Sequence, residues 1–234
     1  EKNLLKRTRL SLHTRVVLIV TVIIIASTFI ITYLLEKDNA FAELTLSGKL
    51  VASGFHSMVS RNAGFCTIPT ATLSDATLVW SMLIMFIGGA PGSTAGGIKV
   101  TTLAVIIASL HSASVDRKET VILKRTISNI IVRDALVILN IYLLIIFLGI
   151  LFVSICEANA ENLTLKDIAF EVVSATTTTG LSTGITTSLT SWSKFWLVIC
   201  MFCGRLGPLT IVMTLARRAT TFYNKYPEEN LTVG

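Results

Sequence analysis

Charge is scarce in this chain. Of its 234 residues, 15% are Asp, Glu, Lys or Arg, 52% are hydrophobic, and mean hydropathy is +0.72. An ordinary soluble domain is about 25% charged. So few charges cannot cover a water-facing surface, which excludes a soluble globular enzyme. A disordered chain needs low hydrophobicity and high charge, so disorder is excluded too. Cysteine is also sparse, at four residues. Cys200 and Cys203 form a CxxC, but inside an apolar run with no further soft ligand nearby. No disulfide framework follows, and the three histidines, His13, His56 and His111, have no metal-ligand company either. What remains is a polytopic membrane protein with the bilayer as its solvent.

The gaps between charges locate the membrane. Residues 16–35 are an uncharged, mostly aliphatic run of 20; 76–98 and 135–156 are uncharged runs of 23 and 22. Residues 195–216 make a further run of 22, interrupted only by Arg205. Each is long enough to cross once, since a span needs about 20 apolar residues. The first run exceeds a signal-peptide core and has no small-residue cleavage site, so it reads as a mature span. Basic residues cluster at Lys2, Lys6, Arg7, Arg9 and Arg15, at Arg117, Lys118, Lys124, Arg125 and Arg133, and at Arg217, Arg218 and Lys225. Even numbers of crossings separate these clusters. The intervening segments hold Glu36, Asp38, Glu43, Asp75, Glu157, Glu161, Asp167 and Glu171. The positive-inside rule therefore places both termini and the 111–133 loop in the cytoplasm. This topology accounts for the net charge of +6 and pI of 9.3 without nucleic acid.

Two uncharged or mixed stretches are not spans. Residues 172–193 read VVSATTTTGLSTGITTSLTSWS, crowded with Thr, Ser and Gly. Non-helical backbone at membrane depth survives only where protein buries it or water bathes it. The expectation is a short helix over about 165–177, then an extended stretch climbing back out. Residues 44–67 share the build: an amphipathic run too short to span, ending in Asn62, Ala63, Gly64 and Phe65. Gly64 and Gly180 lie 116 residues apart, and Pro91 and Pro208 lie 117 apart. The unit is thus span, re-entrant hairpin, span, present twice in one orientation. Such a hairpin suits a dehydrated cation. A short extended strand aims backbone carbonyls at an axis, and glycine permits the backbone geometry and close approach. The preceding helix points the negative end of its dipole at the ion.

Gly88, Gly89, Gly92, Gly96 and Gly97, with Pro91 among them, must break the second span. A broken helix in a membrane lines a cavity; a packing kink is the plainer alternative. Arg205 inside the last span is costly there. It either faces a cation path or caps carbonyls of the broken stretch. Lys99 reads as a snorkelling anchor on the cytoplasmic side. Residues 92–99 imitate a phosphate-binding loop, but the Lys does not follow the second Gly directly, and Val100 stands where Ser or Thr is required. The G-x-S-x-G at 180–184 has no later His to complete a hydrolase triad.

These pieces resemble a known family. RNAGFCTI at 61–68, FIGGAPGSTAGGIKVTT at 86–102, FEVVSATTTTGLSTGIT at 170–186 and GRLGPLT at 204–210 are similar to the membrane subunit of bacterial Ktr/Trk potassium-uptake systems. That superfamily includes the plant HKT transporters, and the tail YPEEN resembles the Ktr branch more than Trk. The resemblance implies an all-α membrane protein with a potassium-channel-like pore of four span–pore helix–span repeats. This chain resembles the third and fourth. It implies that Asn62, Ala63, Gly64 and Phe65 form one filter strand and Thr178, Thr179, Gly180 and Leu181 another, with K⁺ bound by their backbone carbonyls. The family often has Thr where Asn62 stands, and Thr176 and Thr177 replace a bulkier or Gly pattern. Gly88, Gly89, Ala90, Pro91, Gly92, Ser93, Thr94, Ala95, Gly96 and Gly97 would be an intramembrane gating loop, with Arg205 pointing into the pore beside it.

The resulting organisation is a basic segment 1–14, a third-type repeat 15–114, a cytoplasmic linker 115–126, a fourth-type repeat 127–220 and a tail 221–234. The expected function is potassium uptake across the bacterial cytoplasmic membrane, with no covalent chemistry and so no enzyme. A carrier that couples solute to cation through the broken helix is the alternative. No cofactor is expected in this chain; K⁺ is cargo and Na⁺ a modulator. The resemblance implies as partners the N-terminal half of the same protein, a second copy in a homodimer, and a cytosolic regulatory ring that binds ATP or ADP. Nucleic acid is not expected.

Overall fold

The computed structural model describes residues 10–117, 119–160 and 163–207. Several sequence readings fall outside them: the basic residues of 1–9, Lys118, Glu161, Pro208 and the whole tail.

Apolar run length and hydroxyl caps set the elements. The order is α1 (Leu12–Glu36), α2 (Leu46–Val59), α3 (Asp75–Phe86), α4 (Val100–Ser114), β1 (Thr120–Ile122), β2 (Arg125–Ile127), α5 (Asn129–Cys156), α6 (Leu165–Thr177) and α7 (Ser191–Leu206). α1 and α5, with 25 and 28 residues, reach roughly 37 and 42 Å at 1.5 Å per residue. Both exceed a hydrocarbon core of about 30 Å. These two are long and apolar enough to cross a membrane. α2 and α6, with 14 and 13 residues, are too short to do so. Ser11, Thr45, Ser74, Ser128, Thr164 and Thr190 each cap a helix through the side-chain oxygen, satisfying a free N–H of the first turn.

The second run, read as one broken span, is α3 and α4 joined by the loop 87–99. Its chain reverses and then resumes: Ile87 and Ile98 form a parallel bridge. The linker holds more order than the sequence suggested. β1 and β2 pair antiparallel as a small hairpin, turning through Leu123 and Lys124 at φ 49° and 64°. That is the geometry of a primed turn, made without the usual Asn-Gly.

Each half packs on itself and then on the other. Ile24, Ile84, Ile87 and Val100 form a core joining α1, α3 and α4. Val153, Ile168, Val172, Leu197 and Cys200 join α5, α6 and α7. A third core, with Phe41, Val59, Leu78, Met85, Phe170, Val173 and Leu181, crosses between halves through α2, α3 and α6. Val105, Ile106 and Ala135 close a further junction of α4 with α5.

One polar device recurs. Glu36, fully buried at the end of α1, accepts hydrogen bonds from the Ser74 N–H (2.9 Å) and Ser74 Oγ (2.6 Å). Glu157, 7% exposed just past α5, accepts from the Thr190 N–H and Oγ1 (both 2.8 Å) and from Ser193 Oγ (2.6 Å). In each half the carboxylate ending the first long helix therefore holds the cap of the helix that follows the hairpin, α3 or α7. Negative charge at a helix N-terminus is also favourable to the helix dipole.

Burial would raise the Glu157 carboxyl, but the bonds from Ser193 and Thr190, with Lys194 nearby, hold it below its ordinary value. A depressed folded value means stability that is present above about pH 4.3, the unperturbed value, and lost as pH falls through the folded one. Glu157→Gln, which does not titrate, should therefore flatten the acid side of a thermal-unfolding profile. Glu157→Ala should lower stability at pH 7 by about 1–3 kcal/mol, the scale of an unsatisfied buried group. An unchanged acid limb in Glu157→Gln would show that this carboxylate is not the titrating support.

Candidate functional site

The two hairpins leave their helices by the same backbone moves. After α2, Asn62 (φ 73°) and Gly64 (φ 70°) are left-handed; after α6, Thr178 (φ 56°) and Gly180 (φ 90°) are. Both pairs are 116 residues apart. Glycine adopts this geometry freely and Asn tolerates it, but a β-branched Thr is an outlier there. The structure around Thr178 holds it: its N–H donates to Ala175 O at 3.0 Å, and the Thr179 N–H to Ser174 O at 3.0 Å. Strain so maintained is characteristic of functional sites. The Gly180 N–H is tied to Ser174 Oγ at 3.2 Å.

The hairpins meet at their glycines. A Cβ on Gly64 would lie 2.6 Å from the Thr179 carbonyl oxygen and 3.3 Å from Gly180 Cα. No side chain fits between them. The Asn62 side chain joins the same contact. Its Nδ2 donates to Thr177 O (2.7 Å), Thr178 O (3.2 Å) and Thr178 Oγ1 (3.2 Å), so the amide orientation is fixed by its acceptors. Asn62 thus ties the two hairpins together through its side chain, which its expected place in a filter strand did not suggest. Among the described residues, no protein group donates to the carbonyls of Ala63, Gly64, Thr179 or Gly180. Phe65 is exposed and Leu181 buried.

The glycine-rich loop lies against the end of α6. The Gly96 N–H donates to Thr178 Oγ1 at 3.1 Å, and a Cβ on Gly96 would strike the Thr177 carbonyl. The loop is sewn to its own flanks: Ile98 N–H to Phe86 O (3.0 Å), Gly88 N–H to Ile98 O (2.9 Å) and Val100 N–H to Gly89 O (3.2 Å). The last bond supplies α4 with the cap that Lys99, lacking a capping oxygen, does not. Ala90, Pro91, Gly92 and Ser93 make a tight turn, with Ser93 N–H to Ala90 O at 3.1 Å. Pro second and a Gly at φ 84° third match a type II turn.

Three cationic side chains from three elements hold the loop by its carbonyls. Arg61 Nη2 donates to Gly88 O at 3.1 Å and Arg205 Nη1 to Thr94 O at 2.7 Å. Lys99 Nζ donates to Ala95 O (2.5 Å) and Ser93 O (3.3 Å). Of the two readings of Arg205, carbonyl capping is the contact made, by a residue that is itself exposed. Lys99, read from the sequence as a snorkelling anchor, turns instead onto the loop. Arg61 had no assigned role; the signal available was a charged residue directly before a filter-like strand. Gly204 lets α7 reach α6, since a Cβ there would strike the Thr176 carbonyl, and Tyr142 Oη donates to Gly204 O at 3.2 Å. His56 hydrogen-bonds Ser81 at 2.9 Å, and Cys200 and Cys203 are free thiols.

Comparison with known proteins defines the class of this assembly. Residues 7–225 match the TrkH family, described as a cation transport protein. The chain belongs to that family. It is 36% identical over 226 residues to Ktr system potassium uptake protein B of Bacillus subtilis, covering 96% of this chain and 50% of that protein. It is 34% identical over 230 residues to the potassium/sodium uptake protein NtpJ of Enterococcus hirae, covering 97% and 51%. The chain thus spans about half the length of these relatives. Its fold is similar to the potassium transporter TrkH from Vibrio parahaemolyticus, with a TM-score of 0.65, 20% identity, and coverage of 88% of this chain and 44% of that one.

If the cations hold the loop, removing one should loosen it. Lys99→Met should speed amide hydrogen exchange within residues 90–96 by about 3- to 10-fold, the scale of one net hydrogen bond. Exchange at the parental rate would mean that the backbone stitching alone fixes the loop.

Proposed function

We propose that this chain forms half of a channel-like potassium-uptake pore in the bacterial cytoplasmic membrane, with both termini cytoplasmic. The observation that carries this reading is the junction of the two hairpins. Left-handed backbone recurs at equivalent positions, glycine meets glycine, and adjacent carbonyls are without protein donors. Carbonyl oxygens so placed can replace the water of a dehydrated cation. Asn62 to Phe65 and Thr178 to Leu181 are then the third and fourth filter strands of a four-repeat pore, whose first two come from the remainder of the protein. K⁺ is the cargo. The potassium/sodium name of the Enterococcus relative supports Na⁺ as a second ion or modulator.

The loop 88–97 is the gate in this reading. It sits against the inner end of the fourth pore helix, and its position depends on Arg61, Lys99 and Arg205. A ligand-driven movement of any of those elements would withdraw it. The same contacts weigh against a solute-coupled carrier, because the loop carbonyls such a carrier would offer to a substrate are already occupied at 93–95. The assembly is a homodimer with one pore per protomer, standing on a cytosolic ring that binds ATP or ADP. In this reading the basic 111–133 loop and the tail dock that ring.

Rubidium uptake in a bacterial strain lacking its own K⁺ transporters tests this. Uptake should require the chain joined to its missing half; uptake by the 234 residues alone would mean that two copies build one pore. In the joined protein, Gly180→Ser should lower the preference for K⁺ over Na⁺, and unchanged discrimination would remove Gly180 from the filter. Deleting residues 90–97 should raise flux, and parental flux from a folded protein would overturn the gate.

A further inference from the structure

Glu171 is a buried carboxylate that the pore reading does not use. It lies in the second turn of α6, 6% exposed, facing the back of the segment that follows the fourth hairpin. Three groups donate to it. Ser182 Oγ and the Thr183 N–H (3.2 Å) reach Oε1, and Thr186 Oγ1 reaches Oε2 at 3.1 Å. Ser182 Oγ also takes the Gly184 N–H at 2.9 Å. Among the described residues, every hydrogen-bond partner of this carboxylate is a neutral hydroxyl or amide of residues 182–186.

The strand 178–181 is therefore anchored at both ends to one helix. Ser174 holds the inner end through the Thr179 and Gly180 N–H groups. Glu171, one turn earlier on α6, holds the outer end. Glu171, Thr178, Gly180, Ser182 and Arg205 line one open groove of about 600 Å³, so the carboxylate shares a wall with the strand it would support. The equivalent residue of the other half, 116 positions earlier, is Phe55, and among the described residues the hydrogen bonds of Cys66 after its hairpin are local, to Ile68 O at 2.7 Å and with Thr70 Oγ1 at 3.9 Å.

We propose that Glu171 is a positioning residue for the fourth filter strand, and that by fixing the outer end of Thr178–Leu181 it sets discrimination between K⁺ and Na⁺. The inference rests on the filter reading above. Carbonyls select by the number and placement of oxygens around the ion, so a strand released at one end widens its range of geometries and loses preference. The support is one-sided: the third strand takes its order from the Asn62 amide, the fourth from a carboxylate behind it.

The test uses the full-length protein and rubidium uptake competed by K⁺ or Na⁺. Glu171→Ala should lower the K⁺-over-Na⁺ preference by about 3- to 10-fold, the scale of one net hydrogen bond. Glu171→Gln, which keeps one acceptor oxygen, should restore part of it. Ser182→Ala combined with Thr186→Val removes two donors, leaves the carboxylate, and should shift the preference the same way even if Glu171→Ala does not fold. Asp167→Asn, half-buried in the first turn of the same helix and accepting from Thr164 Oγ1 at 2.6 Å, is the control for changing an α6 carboxylate that does not bond residues 182–186. Gly180→Ser in the same assay separates the two readings. If Gly180→Ser changes the preference while the Glu171 and Ser182/Thr186 variants only lower maximal uptake at constant ratio, the positioning role is overturned and the filter stands. If Gly180→Ser also leaves the ratio unchanged, both fall.

Discussion

A backbone that leaves the helix inside a membrane must find every hydrogen bond within the protein, because the surrounding lipid offers none. The loop 87–99 finds internal partners in two ways. The N–H groups of Gly88, Ile98 and Gly96 go to its own flanks and to the Thr178 hydroxyl; the carbonyls of Gly88, Ser93, Thr94 and Ala95 go to Arg61, Lys99 and Arg205. A carbonyl bonded by a cationic donor is held about twice as strongly as one bonded by a neutral donor. The use of cations here also places positive charge beneath the hairpins. The same three side chains therefore bond the backbone and concentrate positive charge at the loop.

Glycine turns these local arrangements into one connected unit. Gly64 brings the two hairpins into backbone contact, Gly96 brings the loop onto the end of α6, and Gly204 brings α7 onto the same turn of α6. The three contacts fall along one stretch, Gly204 on Thr176, Gly96 on Thr177 and Thr178, and Gly64 on Thr179 and Gly180. Movement of the loop or of α7 is thus felt where α6 becomes extended strand. Thr176 and Thr177 are buried and bond back into the helix, Thr176 Oγ1 to Val172 O at 2.7 Å and Thr177 Oγ1 to Val173 O at 2.8 Å. This keeps the helix end polar yet dry.

Much of this was legible in the sequence because it depends on period and residue type. The short helix read over 165–177 is α6, Leu165–Thr177. The 116-residue offset reappears as matched left-handed backbone at 62 and 178 and at 64 and 180. What the sequence hid depends on pairings across distance. Glu36 and Glu157 looked like ordinary charges at helix ends, and their partners lie 38 and 33 residues further along. Arg61 and Arg205 find carbonyls 27 and 111 residues away. The β1–β2 hairpin escaped notice because its turn is Leu-Lys, where a primed turn normally announces itself by Asn or Gly.

The two halves differ in an ordered way. Where the task is scaffolding, they agree: a carboxylate at the end of the first long helix seats the cap of the helix after the hairpin, through Glu36 on Ser74 and through Glu157 on Thr190. Where strands converge, they part. Asn62 reaches across to the Thr177 and Thr178 carbonyls, while its equivalent, Thr178, reaches instead to the loop through Gly96. Phe55 stands opposite Glu171. A symmetric tetramer must place one residue at all four equivalent positions, so each change is made four times. A single chain with internal repeats escapes that constraint. It can use one strand to contact the glycine-rich loop, another to clamp its neighbour, and a buried carboxylate behind only one of them, without disturbing the helical frame they share.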